Sequence, residues 1–433
     1  MKRRDFLSLT ARSAATLTAV PLTAAGDSTR HGGIAPRRIT RADDVVVSAE
    51  SFLEGHPDKL ADLIADTVTD TLQAMRPGRF HGGALEAFAS SDLIAVGGTV
   101  VGPWAPMFTC LDETFWARFE QPIRDLLRAT GHDAGEFTID PDAVEIRLAA
   151  FAQCFPVTYG IHGEPGPAEP VLVYGYATDE TPEMMPLPTL LAHRIAARIS
   201  ELRRSGAVPW LLPHGRTWVA VAYADGEPVA VDGVEVIAQH TPYADRQMLG
   251  EMIVEHVLIP LLGEAALRDG IALNINPTGC CIIDGLVTRC GVSGRTLASD
   301  TYGPHCPLPS HGLAGQGTEN IQRSGTLMAR YLAKHIVAAG LARRCTVHMA
   351  YRAAGAEPEA VLVDSHGTGV VPDERIEQGL RAVFPLTPWA IFEHLDLGRP
   401  IYRRAATFGY FGREEPEFTW EQLDKVDALR GAV

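Results

Sequence analysis

The densest chemistry in the sequence is the run Glu54-Gly55-His56-Pro57-Asp58-Lys59. Proline fits the first turn of a helix, where its missing N–H costs nothing, so His56 and Asp58 are set at a helix N-terminus. Free N–H groups and the positive end of the peptide dipoles favour anions there, phosphate among them. Asp58 then suits a Mg2+ ion, and His56 suits negative charge developing on a reacting group. Taken alone, the hexapeptide also reads as an ordinary helix start. A second cluster, Cys280, Cys281, Cys290, His305, Cys306 and His311, lies within a short stretch, but its spacings match no standard zinc pattern. Seven cysteines without a C-x-x-C do not describe a disulfide framework and read as small, mostly buried apolar residues.

The elements that must hold these residues follow from periodicity. Val45-Val46-Val47 reads as a strand, and Pro57 to Met75 as a helix with Leu60, Leu63, Ile64, Val68 and Leu72 on its apolar face. Asp62, Asp66 and Asp70 line another face of that helix and read as a solvated stripe. Strands are expected over 93–101, 143–151 and 171–176, and helices over 113–130 and 188–205. Asp225-Gly226 marks a hairpin between strands 218–224 and 229–239. A helix over 246–262, a strand at 272–275, Gly-rich loops, a helix over 325–339, strands at 346–351 and 360–363 and a helix at 373–383 complete the pattern. Three successive blocks of strands and helices predict an α+β fold of three related βα units, over 41–144, 166–283 and 284–422.

Composition narrows the function. Only four of the 38 basic residues are lysines (Lys2, Lys59, Lys334, Lys425), and the net charge is −15. That balance argues against a nucleic-acid or membrane-surface binder and for a small-molecule substrate. No stretch after the N-terminus is long and apolar enough to span a membrane. Residues 1–25, with Arg3-Arg4-Asp5-Phe6-Leu7 before a mildly apolar stretch and Thr23-Ala24-Ala25, have the layout of a twin-arginine export signal, followed by a linker over 26–40. A used signal makes the protein periplasmic or exported; an unused one leaves it cytoplasmic.

Ser48 to Lys59 resembles the N-terminal signature of the S-adenosylmethionine synthases, the methionine adenosyltransferases. The likeness continues, in order, through 175–181, Ala192-His193-Arg194, Pro209-Trp210-Leu211, Asn276-Pro277-Thr278-Gly279, Asp300-Thr301-Tyr302-Gly303, 331–341 and Phe411-Gly412-Arg413-Glu414. The resemblance implies a pseudo-threefold α+β fold, and a homodimer or homotetramer with sites between subunits. It implies attack of methionine sulfur on C5′ of ATP, expulsion of triphosphate and its hydrolysis, with Mg2+ and K+ as the ions. Carried over by position, His56 falls on the catalytic histidine, Asp58 on a metal-binding aspartate, Glu86 on the glutamate associated with the monovalent cation, and Arg295 on the triphosphate arginine.

Other positions depart from the pattern. Glu169 stands for an aspartate, Arg216 for a lysine, and Arg289 for an aspartate; His214 opens the segment that ends in Arg216. Thr296, Gln316 and Asn320 replace lysines, Gln322 replaces the second metal aspartate, Cys281 the phenylalanine that stacks on adenine, and Thr99 a glutamate that contacts methionine. Arg216 keeps a charge that a phosphate contact can use. The neutral replacements do not, and each lost charge-assisted contact is worth roughly 1.5–3 kcal/mol. Three amount to about 4.5–9 kcal/mol, or roughly three to six decades in rate. Three readings stay open from sequence. One is a methionine adenosyltransferase with an impaired triphosphate site. Another is a lyase- or cyclase-type enzyme acting on S-adenosylmethionine or a related sulfonium or amino-acid ligand, with Arg289 and Arg295 clamping a carboxylate. The last is a non-catalytic partner module.

Overall fold

The structure is a computed structural model, described here for residues 45–433 apart from 76–81, 102–108, 111–112, 134, 154–165, 269 and 280. The N-terminal signal and linker lie outside the described residues. The strands are β1 (Val45–Phe52), β2 (Gly82–Ala89), β3 (Leu93–Val101), β4 (Thr109–Cys110), β5 (Glu145–Gln153), β6 (Val171–Thr178), β7 (Leu211–Ala224), β8 (Glu227–His240), β9 (Ala272–Ile275), β10 (Gly291–Val292), β11 (Arg344–Tyr351) and β12 (Ala360–Asp364). The helices that matter below are α1 (Pro57–Met75), α2 (Glu113–Ala129), α3 (Leu187–Arg204) and α4 (Ile321–Ala338).

They form three sheets, ordered β1-β7-β8-β9, β10-β2-β3-β5-β4 and β12-β11-β6. The orders contain a cyclic exchange. β1 leaves the first block for the sheet of the second, β6 leaves the second for the sheet of the third, and β10 leaves the third for the sheet of the first. Each sheet packs its helices over its own apolar core: α1 and α2 on β2 and β3, α3 on β7 and β8, α4 on β6 and β11. The fold is therefore α+β in three related units, as expected, but the units interlock by one strand each. The expected hairpin forms on Asp225 and Gly226, both at positive φ (54° and 81°), the backbone of a type I′ turn.

The acidic row of α1 is a correction. Asp62 and Asp66 are buried, and Asp70 is nearly so, because loops from more than two hundred residues away dock on this face. Asp58 accepts the Val292 N–H (2.9 Å), Asp62 the Gly294 N–H (2.7 Å), Asp66 the Gly315 N–H (2.8 Å), and Asp70 the N–H groups of Tyr402 and Arg403 (both 2.9 Å). Successive carboxylates along the helix thus hold three segments of the last block: Asp58 and Asp62 the stretch 292–294, Asp66 the loop at Gly315, and Asp70 the chain at Tyr402 and Arg403. Buried cations complete the arrangement: Lys59 Nζ lies 2.8 Å from Asp62 and 2.6 Å from Asp300, and Arg323 pairs with Asp66 with both side chains fully buried.

Candidate active site

The signature hexapeptide straddles the end of β1 and the start of α1. Its turn is fixed by Leu53 and Gly55 donating to the carbonyls of Gly215 and Pro213 (3.0 and 3.1 Å). Gly55 is required there, since a Cβ would lie 2.3 Å from Pro213 Cβ. Glu54 turns inward to Arg203 and Arg204 on α3. His56 turns the other way, tilted on Phe52 (ring centroids 4.4 Å) and stacked on His214 (5.2 Å). Burial, then the fields of His214, Lys59, Arg289 and Arg216, hold its pKa down at about 3. At neutral pH His56 is therefore an uncharged imidazole, able to donate one N–H; its Nδ1 is buried without a partner.

Asp58 keeps one carboxylate oxygen for Val292 N–H, with Arg295 Nη1 3.8 Å from that same oxygen. Arg295 is 57% exposed, and Arg289, paired through Nε with Asp284 (3.0 Å), is 62% exposed, so both guanidinium groups reach solvent. Arg216, on β7 opposite Phe52 of β1, is exposed as well. His56, Asp58, Arg216, Arg289 and Arg295 thus converge at the N-terminus of α1.

Two other expected site residues stand elsewhere. Glu86 is exposed on β2, on the sheet face opposite buried Leu85 and Ala87. Glu169 accepts from Gln322 Nε2 (3.3 Å), which also meets His311 Nδ1 (2.8 Å). Nearby, Asn320 donates to Gln316 (2.5 Å). In this second group Gln316 and Asn320 are neutral amides where the resemblance puts lysines, and Gln322 is a neutral amide where it puts an aspartate. Among the described residues, no hydrogen bond or ion pair joins Glu86 or Glu169 to His56. Thr296 belongs to the interior, donating to Asp62 (3.1 Å) and Asp300 (2.7 Å).

Sequence reasoning named His214 and Cys281 separately, did not single out Asp284, and missed that the three meet. His214 Nε2 lies 3.6 Å from Asp284 Oδ2, and Cys281 Sγ lies 3.5 Å from the same oxygen. Burial and the Asp284 charge push the Cys281 thiol up to about 12. Burial opposes ionisation of Asp284, but His214, the Gly285 N–H and Arg289 outweigh it and hold the carboxyl below its usual range. The run of cysteines and histidines whose spacings match no zinc pattern does not come together among the described residues: Cys290 is exposed and Cys306 is buried in the core of the last block.

An α+β protein of three related units thus sets a helix N-terminus, a neutral histidine, a carboxylate and exposed arginines side by side, a set of groups chemically suited to an anion. The chain matches the N-terminal domain of S-adenosylmethionine synthetase over residues 44–154, the central domain over 164–281 and the C-terminal domain over 283–422. It is 35% identical over 391 residues to the S-adenosylmethionine synthase of Nitratiruptor sp., covering 90% of this chain and 98% of that protein. It is likewise 35% identical over 390 residues to the S-adenosylmethionine synthase of Wolinella succinogenes, covering 89% and 98%. The chain belongs to the S-adenosylmethionine synthetase family.

Proposed function

We propose that the protein is a methionine adenosyltransferase, joining ATP and methionine into S-adenosylmethionine, with a weakened triphosphate cage. The observation that carries this reading is the convergence of His56, Asp58, Arg216, Arg289 and Arg295 at the N-terminus of α1 in a chain collinear with synthases over nearly its whole length. In the reaction the methionine sulfur forms a bond to C5′ while the C5′–oxygen bond breaks and triphosphate leaves with the electron pair. Neutral His56 donates an N–H to the departing oxygen, where negative charge develops. Arg295 and Arg216 receive phosphate oxygens, a role suited to planar guanidinium groups.

Magnesium fits the donors present: Asp58 has one oxygen taken by Val292 N–H and a second available, and this ion is often held by one or two carboxylates plus substrate phosphates. Bound there, it would neutralise charge on the phosphates. Gln322, standing for the second metal aspartate, offers only a neutral oxygen, so the ion is held more weakly than by two carboxylates. Glu86, exposed on β2, would offer K+ a lone carboxylate. A homodimer or homotetramer would bring the Glu169–Gln322 group of one copy to the His56 group of another. The N-terminal arginine pair is read as an export signal, tested by fractionating cells that carry the wild type or Arg3→Ala with Arg4→Ala; retention of the wild type in the cytoplasm ends that idea.

The activity is tested with purified full-length protein, ATP, methionine, Mg2+ and K+, following S-adenosylmethionine by mass spectrometry. Slow product formation that disappears in His56→Ala is expected. Product that persists in His56→Ala would mean the site is elsewhere, and no product after prolonged incubation would overturn the assignment.

A further inference from the structure

We propose that His214, Cys281 and Asp284 form a binding site for a divalent transition-metal ion of the zinc type, next to His56 and separate from the Mg2+ position at Asp58. One ligand atom from each residue falls in a group with all separations within 4.8 Å. The geometry of a tetrahedral ion fixes what those separations must be. Bonds of about 2.0–2.3 Å to nitrogen, oxygen and sulfur place neighbouring ligand atoms roughly 3.3–3.8 Å apart. The His214–Asp284 and Cys281–Asp284 separations are 3.6 and 3.5 Å. Two edges of the tetrahedron are therefore already at the length an ion requires.

The surroundings orient the ligands. Asp284 Oδ1 is taken up by the Gly285 N–H (2.9 Å), the Thr288 hydroxyl (3.1 Å) and Arg289 Nε (3.0 Å), which leaves Oδ2 turned toward His214 and Cys281. Arg289 Nη2 also reaches Oδ2, at a long 3.5 Å. Such outer partners fix a ligand's orientation. His214 is 4% exposed, held between Pro213 and Gly215 whose carbonyls bind the signature turn, and its Nδ1 has no hydrogen-bond partner. A buried imidazole with no neutral partner for one nitrogen and a carboxylate and a thiol facing the other is poorly accounted for by packing alone.

The donor set selects the ion. Thiolate and imidazole favour zinc-type ions, whereas Mg2+ and K+ take oxygen donors. Three protein ligands leave a fourth position for water or a ligand atom, the arrangement of sites that do more than hold a fold. His56 stacks on His214, so occupancy of this site borders the reaction centre directly.

The test uses tag-free, full-length protein, reduced and stripped with chelator, titrated with Co2+ as a spectroscopic stand-in. The expected result is a near-ultraviolet thiolate-to-cobalt band that saturates at one equivalent and is erased by one equivalent of Zn2+ but not by excess Mg2+. Cys281→Ser, a near-isosteric change at a partly buried position, removes the band. Cys290→Ser, the exposed thiol nearby in sequence, retains it. Asp284→Asn weakens binding at least tenfold, and Zn2+ raises the melting temperature of the wild type but not of Asp284→Asn. Circular dichroism verifies that each variant is folded. Absence of saturable binding in the wild type overturns the proposal. So does a band unchanged in Cys281→Ser, or affinity unchanged in Asp284→Asn.

Discussion

Two sets of charges sit on the first helix, four residues apart, and they differ in kind. Along its length, Asp62 and Asp66 are buried and Asp70 is nearly so, and each is satisfied by backbone N–H groups, with Lys59 and Arg323 as buried counter-charges. At its N-terminus, Asp58 stands partly exposed beside the neutral His56, with the charged ends of Arg289 and Arg295 in reach of solvent. The first set ties the first unit to the last and leaves little room for change, because an uncompensated charge in the interior is costly. The second set faces a ligand and tolerates replacement: arginine stands where lysine or aspartate is expected, and Thr296 has joined the interior network. Even the scarce lysines follow this division. Lys59 and Lys334 are both buried in ion pairs, with Asp62 and Asp300 in one case and Glu421 in the other.

The sharpest way to break this comparison is to remove one member of each set. Asp66→Ala strands Arg323 inside the protein and should lower the unfolding free energy by about 3–5 kcal/mol, measured by urea denaturation. His56→Ala should lower adenosyl transfer by roughly 10²–10³-fold while the urea midpoint moves little, corresponding to about 1 kcal/mol. If Asp66→Ala is as stable as wild type, the acidic row is not the staple described here.

Glu319 sharpens the picture in the neutral amide region. Burial, opposed only by the Gly83 N–H, raises its carboxyl from 4.5 to about 8. A group whose folded pKa is raised stabilises the fold fully below its unfolded value, and that contribution is lost as pH climbs toward 8. Glu319 should therefore contribute a loss of stability between about pH 4.5 and 8, and Glu319→Gln should remove that contribution from the wild-type profile. An identical slope in the variant would assign the pH dependence to other groups. The smallest effect belongs to the surface: Glu201→Ala removes the exposed partner of Arg198 and should cost no more than about 0.5 kcal/mol.

Much of this was legible in the sequence wherever a local rule applied. The apolar spacing of α1, the Asp225-Gly226 hairpin and the helix start at Pro57 all follow from residues within a few positions of one another. The acidic row was not legible, because the loops that bury it begin at Val292 and end at Arg403. Nor was the exchange of β1, β6 and β10, since strand partners are set by packing that periodicity does not encode. His56, Asp58, Arg216, Arg289 and Arg295 were identified and do converge. The His214–Cys281–Asp284 group escaped because its members come from the start of β7 and from the loop after β9, a separation that no spacing rule spans.

The most direct test of the central claim is the steady-state rate of S-adenosylmethionine formation from ATP and methionine with Mg2+ and K+. A fold kept intact around a cage short of its cations predicts authentic product, dependent on His56, at a rate roughly three to six decades below the ~10 s⁻¹ of a typical enzyme. Turnover at that ordinary rate would contradict the account, for the neutral residues at 296, 316 and 320 would then have cost nothing.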